Sequence, residues 1–128
     1  MSAVRTVALM LLSFLFCQAV TAQLRAGDYE VTNMDGSPVL DGAVAGKTIS
    51  PDGSGDMVGD PWVEYPGQAR QYGTAEITQY TFVDWDVYTW QNRRGTTGVL
   101  IKDPDTGGWI SMVTSGPNTG RMTRLTLL

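Results

Sequence analysis

Residues 73–92 read GTAEITQYTFVDWDVYTWQN, and this stretch decides the fold. From Ala75 to Trp90, 11 of the 16 residues are β-branched or aromatic. Such side chains lose rotamer freedom in a helix and pack well on a pleated surface. The apolar positions do not follow a 3.6-residue period, which excludes an amphipathic helix. Strands usually run about 5–6 residues, so we expect two strands here, with a bend, bulge or connection near residues 83–86.

Short apolar segments separated by Gly, Pro, Asn and Asp occur on both sides of this stretch. The other predicted strands or strand starts are residues 28–32, 39–40, 43–45, 47–49, 57–58, 61–65, 97–102, 109–114 and 121–128. Those between residues 41 and 61 are expected to be short edge strands between turns. Turn-linked neighbours favour antiparallel meander pairing. The pattern predicts an all-β fold, a small antiparallel barrel or sandwich of about seven to nine short strands.

The N-terminus, MSAVRTVALMLLSFLFCQAVTA, has the three parts of a secretory signal peptide. Arg5 gives the positive start, residues 7–17 are apolar, and small residues precede Gln23. A membrane-spanning helix needs roughly 20 apolar residues, so this run is too short to favour an anchor. We predict a cleaved signal-peptide helix over residues 1–22 and a single all-β domain over residues 23–128. The mature protein is expected to be secreted or periplasmic, without a stable membrane span.

Composition excludes several function classes. The chain has no His, and its only Cys, Cys17, leaves with the signal peptide. This excludes Ser-His-Asp and Cys-His catalysis and ordinary zinc sites. All 13 Asp and Glu remain after cleavage, against eight Lys and Arg, which gives a net charge of −5. Nucleic-acid binding needs a basic surface, so we expect no nucleic-acid partner, and we expect no metal and no cofactor.

The carboxylates offer two weaker hypotheses. Asp84 and Asp86 would lie about 7 Å apart on one face of a strand, where paired carboxylates could act as acid and base in glycoside hydrolysis. Residues 52–56 and 103–105 hold alternating oxygen-bearing side chains that could bind Ca²⁺. Ordinary turn chemistry explains the same residues, because Asp and Gly favour turn conformations. We therefore predict no catalytic and no metal-binding residues.

The aromatic side chains suggest a binding face. The mature chain contains four Trp and five Tyr but a single Phe, and Trp and Tyr rings carry a polar group that suits a ligand site. The residues predicted to bind ligand are Trp62, Tyr88, Trp90 and Arg93. For Trp62 and Trp90, the pattern leaves a core position equally open. Trp85 and Trp109 are expected in the core because apolar residues surround them.

These observations favour an exported, non-enzymatic binding module for a small apolar or carbohydrate ligand. The alternative is a structural or protein-interaction protein, such as an inhibitor or an assembly subunit, that uses an exposed strand as its contact. A carboxylate-based hydrolase is the third hypothesis.

Overall fold

The computed structural model describes residues 24–73 and 76–128, and in them it contains nine β-strands and no helix. The predicted signal peptide, residues 1–22, lies outside the described residues. The strands are β1 (Gly27–Thr32), β2 (Val44–Pro51), β3 (Met57–Glu64), β4 (Gln71–Tyr72), β5 (Thr78–Asp84), β6 (Val87–Asn92), β7 (Thr97–Lys102), β8 (Trp109–Ser115) and β9 (Met122–Leu127). Across the described part of the chain, no helix has the length and apolar character needed to cross a membrane.

The strands form one antiparallel sheet that closes on itself. Strands that follow each other in the chain pair with each other, except that β3 pairs with β5 and the short β4 extends the far end of β3. β1 pairs with β9 as well as with β2, which closes a barrel of eight strands. The predicted small all-β fold is therefore confirmed, as a barrel. Closure leaves the ring without a free edge on which another chain could pair.

The stretch that decides the fold forms the β5–β6 hairpin. β5 ends at Asp84 and β6 begins at Val87, with residues 85 and 86 in the turn. The register shifts between Phe82 and Asp84, and such a bulge bends the strand and increases its twist. The predicted break at residues 83–86 is confirmed.

Two strand predictions were wrong. Residues 39–40 do not start the return strand, because residues 33–43 form an irregular connection that includes Pro38 and the left-handed Gly42 (φ 73°). The segments 43–45, 47–49 and 57–58 are not separate short edge strands: residues 44–51 form β2 and residues 57–64 form β3, and these two strands pair along their whole length. Pro61 fits in β3 because its carbonyl accepts a hydrogen bond from the Gly73 N–H (2.9 Å) on the side where β3 changes its neighbour from β5 to β4. The residue opposite Pro61 is Gly73, just beyond the end of β4, so the N–H that proline lacks is missing at the end of this short ladder and not in its middle.

Alternate residues of each strand point into the barrel, as period 2 requires. The buried core contains Leu24, Tyr29, Ile49, Tyr80, Tyr88, Trp90, Leu100, Trp109 and Leu125. The ring of Tyr88 packs edge-on against Phe82 and Trp109, with centroid distances of 5.6 and 5.7 Å. Trp109 is 3% exposed, so the prediction that it lies in the core is confirmed. Trp85 instead is half-buried in the β5–β6 turn.

Large aromatic rings cover glycines of neighbouring strands at three places. The ring of Trp90 on β6 lies across Gly98 on β7, and the ring of Trp62 on β3 lies across Gly46 on β2. The ring of Tyr80 on β5 lies close to Gly59 on β3. A Cβ at any of these glycines would overlap the ring, so the missing side chain is what allows the ring to lie flat on the sheet.

The two ends of the barrel differ, and we call them the closed end and the open end. The closed end carries the β2–β3, β5–β6 and β7–β8 turns and the segment before β1. In that segment Leu24 is 1% exposed, and the Tyr29 hydroxyl donates to the carbonyl of Arg25 at 2.7 Å. The open end carries the β1–β2, β3–β5, β6–β7 and β8–β9 connections.

Candidate functional site

A cavity of about 570 Å³ lies at the open end of the barrel. Its apolar wall comes from β1, β2, β3 and the connection between the first two strands. The apolar side chains that line the cavity are Val31, Val39, Leu40, Ala45, Pro61, Trp62 and Val63. Small-molecule sites typically have volumes of about 300–1,000 Å³ and largely apolar walls. The size and lining of this cavity fit that class of site.

Lys47 is the polar side chain at the inner part of the cavity. It shares the inward face of β2 with Ala45 and Ile49, because residues two apart on a strand point the same way. Its Nζ donates to Thr78 Oγ1 and to the Tyr80 hydroxyl, at 3.1 Å in each case. Nζ also lies 5.6 Å from the ring centroid of Tyr80. The ammonium is therefore held in place by the β5 wall.

The charge of Lys47 has no counter-ion in the described residues. An ammonium has three N–H donors, and the two acceptors that it finds here are neutral hydroxyls. Among residues 24–73 and 76–128, no carboxylate oxygen lies within 4.0 Å of this Nζ. Glu76 also lines the cavity, but its carboxylate pairs with Arg94 at 3.6 Å. One N–H of Lys47 is left for a group that enters the cavity.

Charges are distributed unevenly between the two ends. Arg94 and Arg121 are exposed and line the cavity at the open end. The closed-end turns carry six aspartates: Asp52, Asp56, Asp84, Asp86, Asp103 and Asp105. The connections at the open end hold four arginines (Arg70, Arg93, Arg94 and Arg121) against three carboxylates (Asp35, Asp41 and Glu76). The open end is therefore much less acidic than the closed end, and an anion is repelled less there.

The structure places the four predicted ligand-binding residues in three different surroundings. Tyr88 and Trp90 both point into the barrel. Tyr88 is 4% exposed and packs toward the closed end, where burial raises the pKa of its hydroxyl. Trp90 is 9% exposed, its Nε1 donates to the Val99 carbonyl at 3.2 Å, and its ring centroid lies 6.0 Å from the Nζ of Lys47. Of these two, Trp90 is the one beside the cavity cation.

Trp62 and Arg93 lie elsewhere. Trp62 borders the cavity, but its ring packs on the outer wall of the barrel, where the guanidinium of Arg70 lies 3.7 Å from the ring centroid. Arg70 donates to Glu64 at 2.7 Å and to Asp28 at 3.0 Å, which fixes it over the ring. Arg93 is exposed in the β6–β7 turn. These four side chains do not form a single binding face.

Sequence reasoning missed Lys47. A lysine in a predicted edge strand is normally solvated, so its position did not indicate a binding role. A signal was nevertheless present, because Ala45 and Ile49 are apolar and lie two residues on either side. A polar residue that shares the inward face of a strand with apolar neighbours is a candidate for a functional role.

The carboxylates that suggested hydrolysis or Ca²⁺ binding lie in turns of the closed end. Asp84 and Asp86 are both exposed. Asp52 accepts hydrogen bonds from the hydroxyl and the N–H of Ser54, and these lower its pKa to about 2. In the described ranges, no cluster of three or more His, Cys, Asp or Glu could hold a metal ion.

Asp103 has a structural partner. It is 4% exposed and pairs with Arg124, and its pKa is lowered mainly by the Asp105 N–H, with further contributions from Thr106 and Arg124. Arg124 also donates to the Met34 carbonyl at 2.7 Å. These bonds connect the β7–β8 turn to β9 and to the β1–β2 connection.

The cavity at the open end, with Lys47 in its interior, is thus the candidate site that the geometry distinguishes. Comparisons of this chain with protein-family models, with curated proteins and with solved structures find no match.

Proposed function

We propose that this protein is an exported, non-enzymatic binding protein that holds a small apolar ligand in the open end of its barrel. One observation carries the proposal: a preformed cavity of about 570 Å³ whose wall is formed by apolar side chains of three adjacent strands. Export is inferred from the signal-peptide pattern of residues 1–22. A non-enzymatic role is favoured because residues 23–128 contain neither His nor Cys, the side chains most used in acid–base and nucleophilic catalysis.

The character of the wall favours an apolar ligand over a carbohydrate. Sugar sites commonly present an aromatic face, whereas the wall here is mainly aliphatic, with Val31, Ala45 and Val63 pointing inward. Each Å² of apolar ligand surface removed from water contributes about 25 cal/mol. Because the strands around the cavity belong to a closed barrel, little chain entropy is lost on binding.

Filling the cavity should remove binding, and two adjacent residues of β2 provide a matched pair. The neutral fluorescent ligand N-phenyl-1-naphthylamine should bind the purified protein and gain emission. Ala45→Phe places a ring in the cavity and should weaken binding at least tenfold, equivalent to about 1.4 kcal/mol. Val44→Phe adds a ring at a position that points outward and is 42% exposed, so its affinity should match wild type.

Fluorescence titration measures both affinities, and far-UV circular dichroism checks that each variant is folded. Equal loss of affinity in the two variants would place the ligand outside the cavity. Absence of binding to wild type, for this ligand and for other apolar ligands of similar size, would remove the proposal.

A second candidate function, protein interaction, has one observation in its favour. The outward positions of β6, β7 and β8 carry no charged residue in the described structure. Apolar side chains are neighbours there through the strand register: Val87, Val99, Ile101, Ile110 and Met112. Ile101 is 44% exposed. An uncharged apolar face can pack against its own copy without burying an unpaired charge.

Sedimentation equilibrium tests this second candidate. If the face joins two copies, the mass should rise toward that of a dimer with concentration, and Ile101→Lys should prevent the rise. Val83→Lys is the matched control, because Val83 lies at an outward position of β5 and is 55% exposed. In this variant the mass should rise with concentration as in wild type. A wild-type protein that stays monomeric at the highest soluble concentration would rule out this dimer.

A further inference from the structure

We infer that the ligand of the open-end cavity carries a single negative charge, in a carboxylate or sulfonate group, which Lys47 binds inside the barrel. This inference rests on the proposed function and specifies the chemical class of the ligand: an apolar body with one anionic head group. Three steps lead to this inference, and they concern the cation, its hydrogen-bonding neighbour and the charge at the cavity entrance.

The first step is the incomplete pairing of the Lys47 ammonium. Removing an ammonium from water is costly unless charge and hydrogen bonds compensate for it. Lys47 Nζ has two neutral oxygen partners and no carboxylate within 4.0 Å in the part of the chain that the structure describes. An anionic group in the cavity would supply both the missing counter-charge and an acceptor for the third N–H.

The second step is the hydroxyl of Tyr80, which is buried beside Lys47. Its oxygen accepts from Lys47, so its own proton points elsewhere, and that proton has no acceptor among residues 24–73 and 76–128. Thr78 differs, because its hydroxyl already donates to the Glu76 carbonyl at 3.0 Å. The Lys47 ammonium and the Tyr80 hydroxyl lie 3.1 Å apart. Tyr80 is 1% exposed and does not line the cavity, so its hydroxyl fixes the position of the ammonium, and Lys47 is the donor that a head group meets first.

The third step is the entrance of the cavity. Arg94 and Arg121 both line the cavity; Arg94 pairs with Glu76 at 3.6 Å, whereas Arg121 has no ion pair with any described residue. Positive charge at the entrance raises the local anion concentration and the association rate. Lys47 is the cation at the inner part of the cavity, and the arginines are exposed at the entrance. One inner cation suits a singly charged head group better than a dianion.

Two fluorescent ligands separate charge from apolar burial. 8-Anilinonaphthalene-1-sulfonate and N-phenyl-1-naphthylamine share one ring system, but the first carries a sulfonate and the second is neutral. Lys47→Met keeps an unbranched apolar stem and removes the charge. It should weaken binding of the sulfonate about 10- to 100-fold, the range of a hydrogen bond to a charged group. The affinity for the neutral ligand should change by less than about twofold.

Lys102→Met is the matched control. Lys102 is the other lysine of the chain, and its Nζ lies over a tryptophan ring, 5.6 Å from the Trp109 centroid, in the strand end near the closed end. This variant removes the same charge and should leave the affinity for both ligands unchanged. Lys47→Arg keeps the charge and should retain most of the preference for the sulfonate.

The outcomes distinguish the two proposals. If wild type fails to bind the neutral ligand and its apolar relatives, the proposed function fails. If it binds the neutral ligand but Lys47→Met binds the sulfonate as tightly as wild type does, the inference about charge is overturned and the proposed function stands. If Lys47→Met and Lys102→Met lose the same affinity for the sulfonate, the effect comes from the net charge of the protein, and the inference is also overturned.

A measurement on the unmodified sequence covers the case in which Lys47→Met does not fold. With only two lysines, selective ¹³C labelling of lysine gives two side-chain signal sets in the NMR spectrum. Saturation with the sulfonate should shift the Lys47 signals more than saturation with the neutral ligand, while the Lys102 signals stay in place. Unshifted Lys47 signals in the saturated sulfonate complex would contradict a contact at this ammonium.

Discussion

Replacement of Gly98 by alanine should lower the free energy of unfolding by about 3 kcal/mol, at the upper end of the usual cost of overpacking. A Cβ at Gly98 would overlap the ring of Trp90 and also the backbone carbonyl oxygen of Met112. The ring cannot easily move away, because Trp90 is 9% exposed and its Nε1 donates to Val99. The carbonyl cannot move without disturbing β8, which pairs with β7 along this segment.

Urea unfolding followed by circular dichroism measures this effect, and Gly73→Ala is its control. A Cβ at Gly73 would meet a side-chain atom of Pro61 at 3.8 Å, an ordinary contact distance, so the same chemical change should have little effect there. In a double-mutant cycle, Gly98→Ala should cost less unfolding free energy in the Trp90→Leu background than in wild type, because part of the overlap disappears with the ring. If Gly98→Ala is as stable as Gly73→Ala, Trp90 does not lie across Gly98 in solution.

Replacement of Trp62 by alanine should cost about 3–5 kcal/mol of unfolding free energy, as for other large-to-small changes at buried aromatic residues. Trp62 is 2% exposed, and its ring fills the space between Gly46 and the guanidinium of Arg70. Its Nε1 has no hydrogen-bond partner among the described residues. Packing, rather than hydrogen bonding, therefore accounts for its contribution, and Trp62→Phe should recover much of the loss.

The same variants test the role that sequence reasoning assigned to Trp62. Trp62 borders the cavity, but its ring packs on the outer wall under Arg70, so we expect folded Trp62→Ala and Trp62→Phe to bind N-phenyl-1-naphthylamine as wild type does. Urea unfolding and fluorescence titration on the same samples separate stability from binding. A folded variant of unchanged stability that no longer binds the ligand would instead support Trp62 as a ligand contact.

The sequence predicts those parts of the fold that depend on interactions between residues close together in the chain. The β5–β6 break and the strands at residues 97–102 and 109–114 depend on residues close together in the chain, and these predictions were confirmed. β2 and β3 were harder, because their glycines and prolines look like turn residues. Gly46 and Gly59 are instead needed where rings cross neighbouring strands, and Pro61 lies where β3 changes its neighbour.

The candidate site shows the same division. Alternation along β2 could have placed Lys47 on the face of Ala45 and Ile49, but not next to Tyr80 and Thr78, which lie 33 and 31 residues further along the chain. Likewise, the sequence left Trp62 and Trp90 open between core and ligand contact. Which side of the wall each ring occupies depends on strand register, and a shift of one residue would reverse it.

The sequence by itself therefore determined the strand character of the chain and the absence of histidine chemistry, because these follow from local propensity and composition. Only the tertiary structure decided that β1 pairs with β9 to close a barrel, that Leu24 is buried at one end while the cavity of about 570 Å³ lies at the other, and that Lys47 faces inward. These features arise from contacts between distant segments, whose register and inward face a local pattern does not specify.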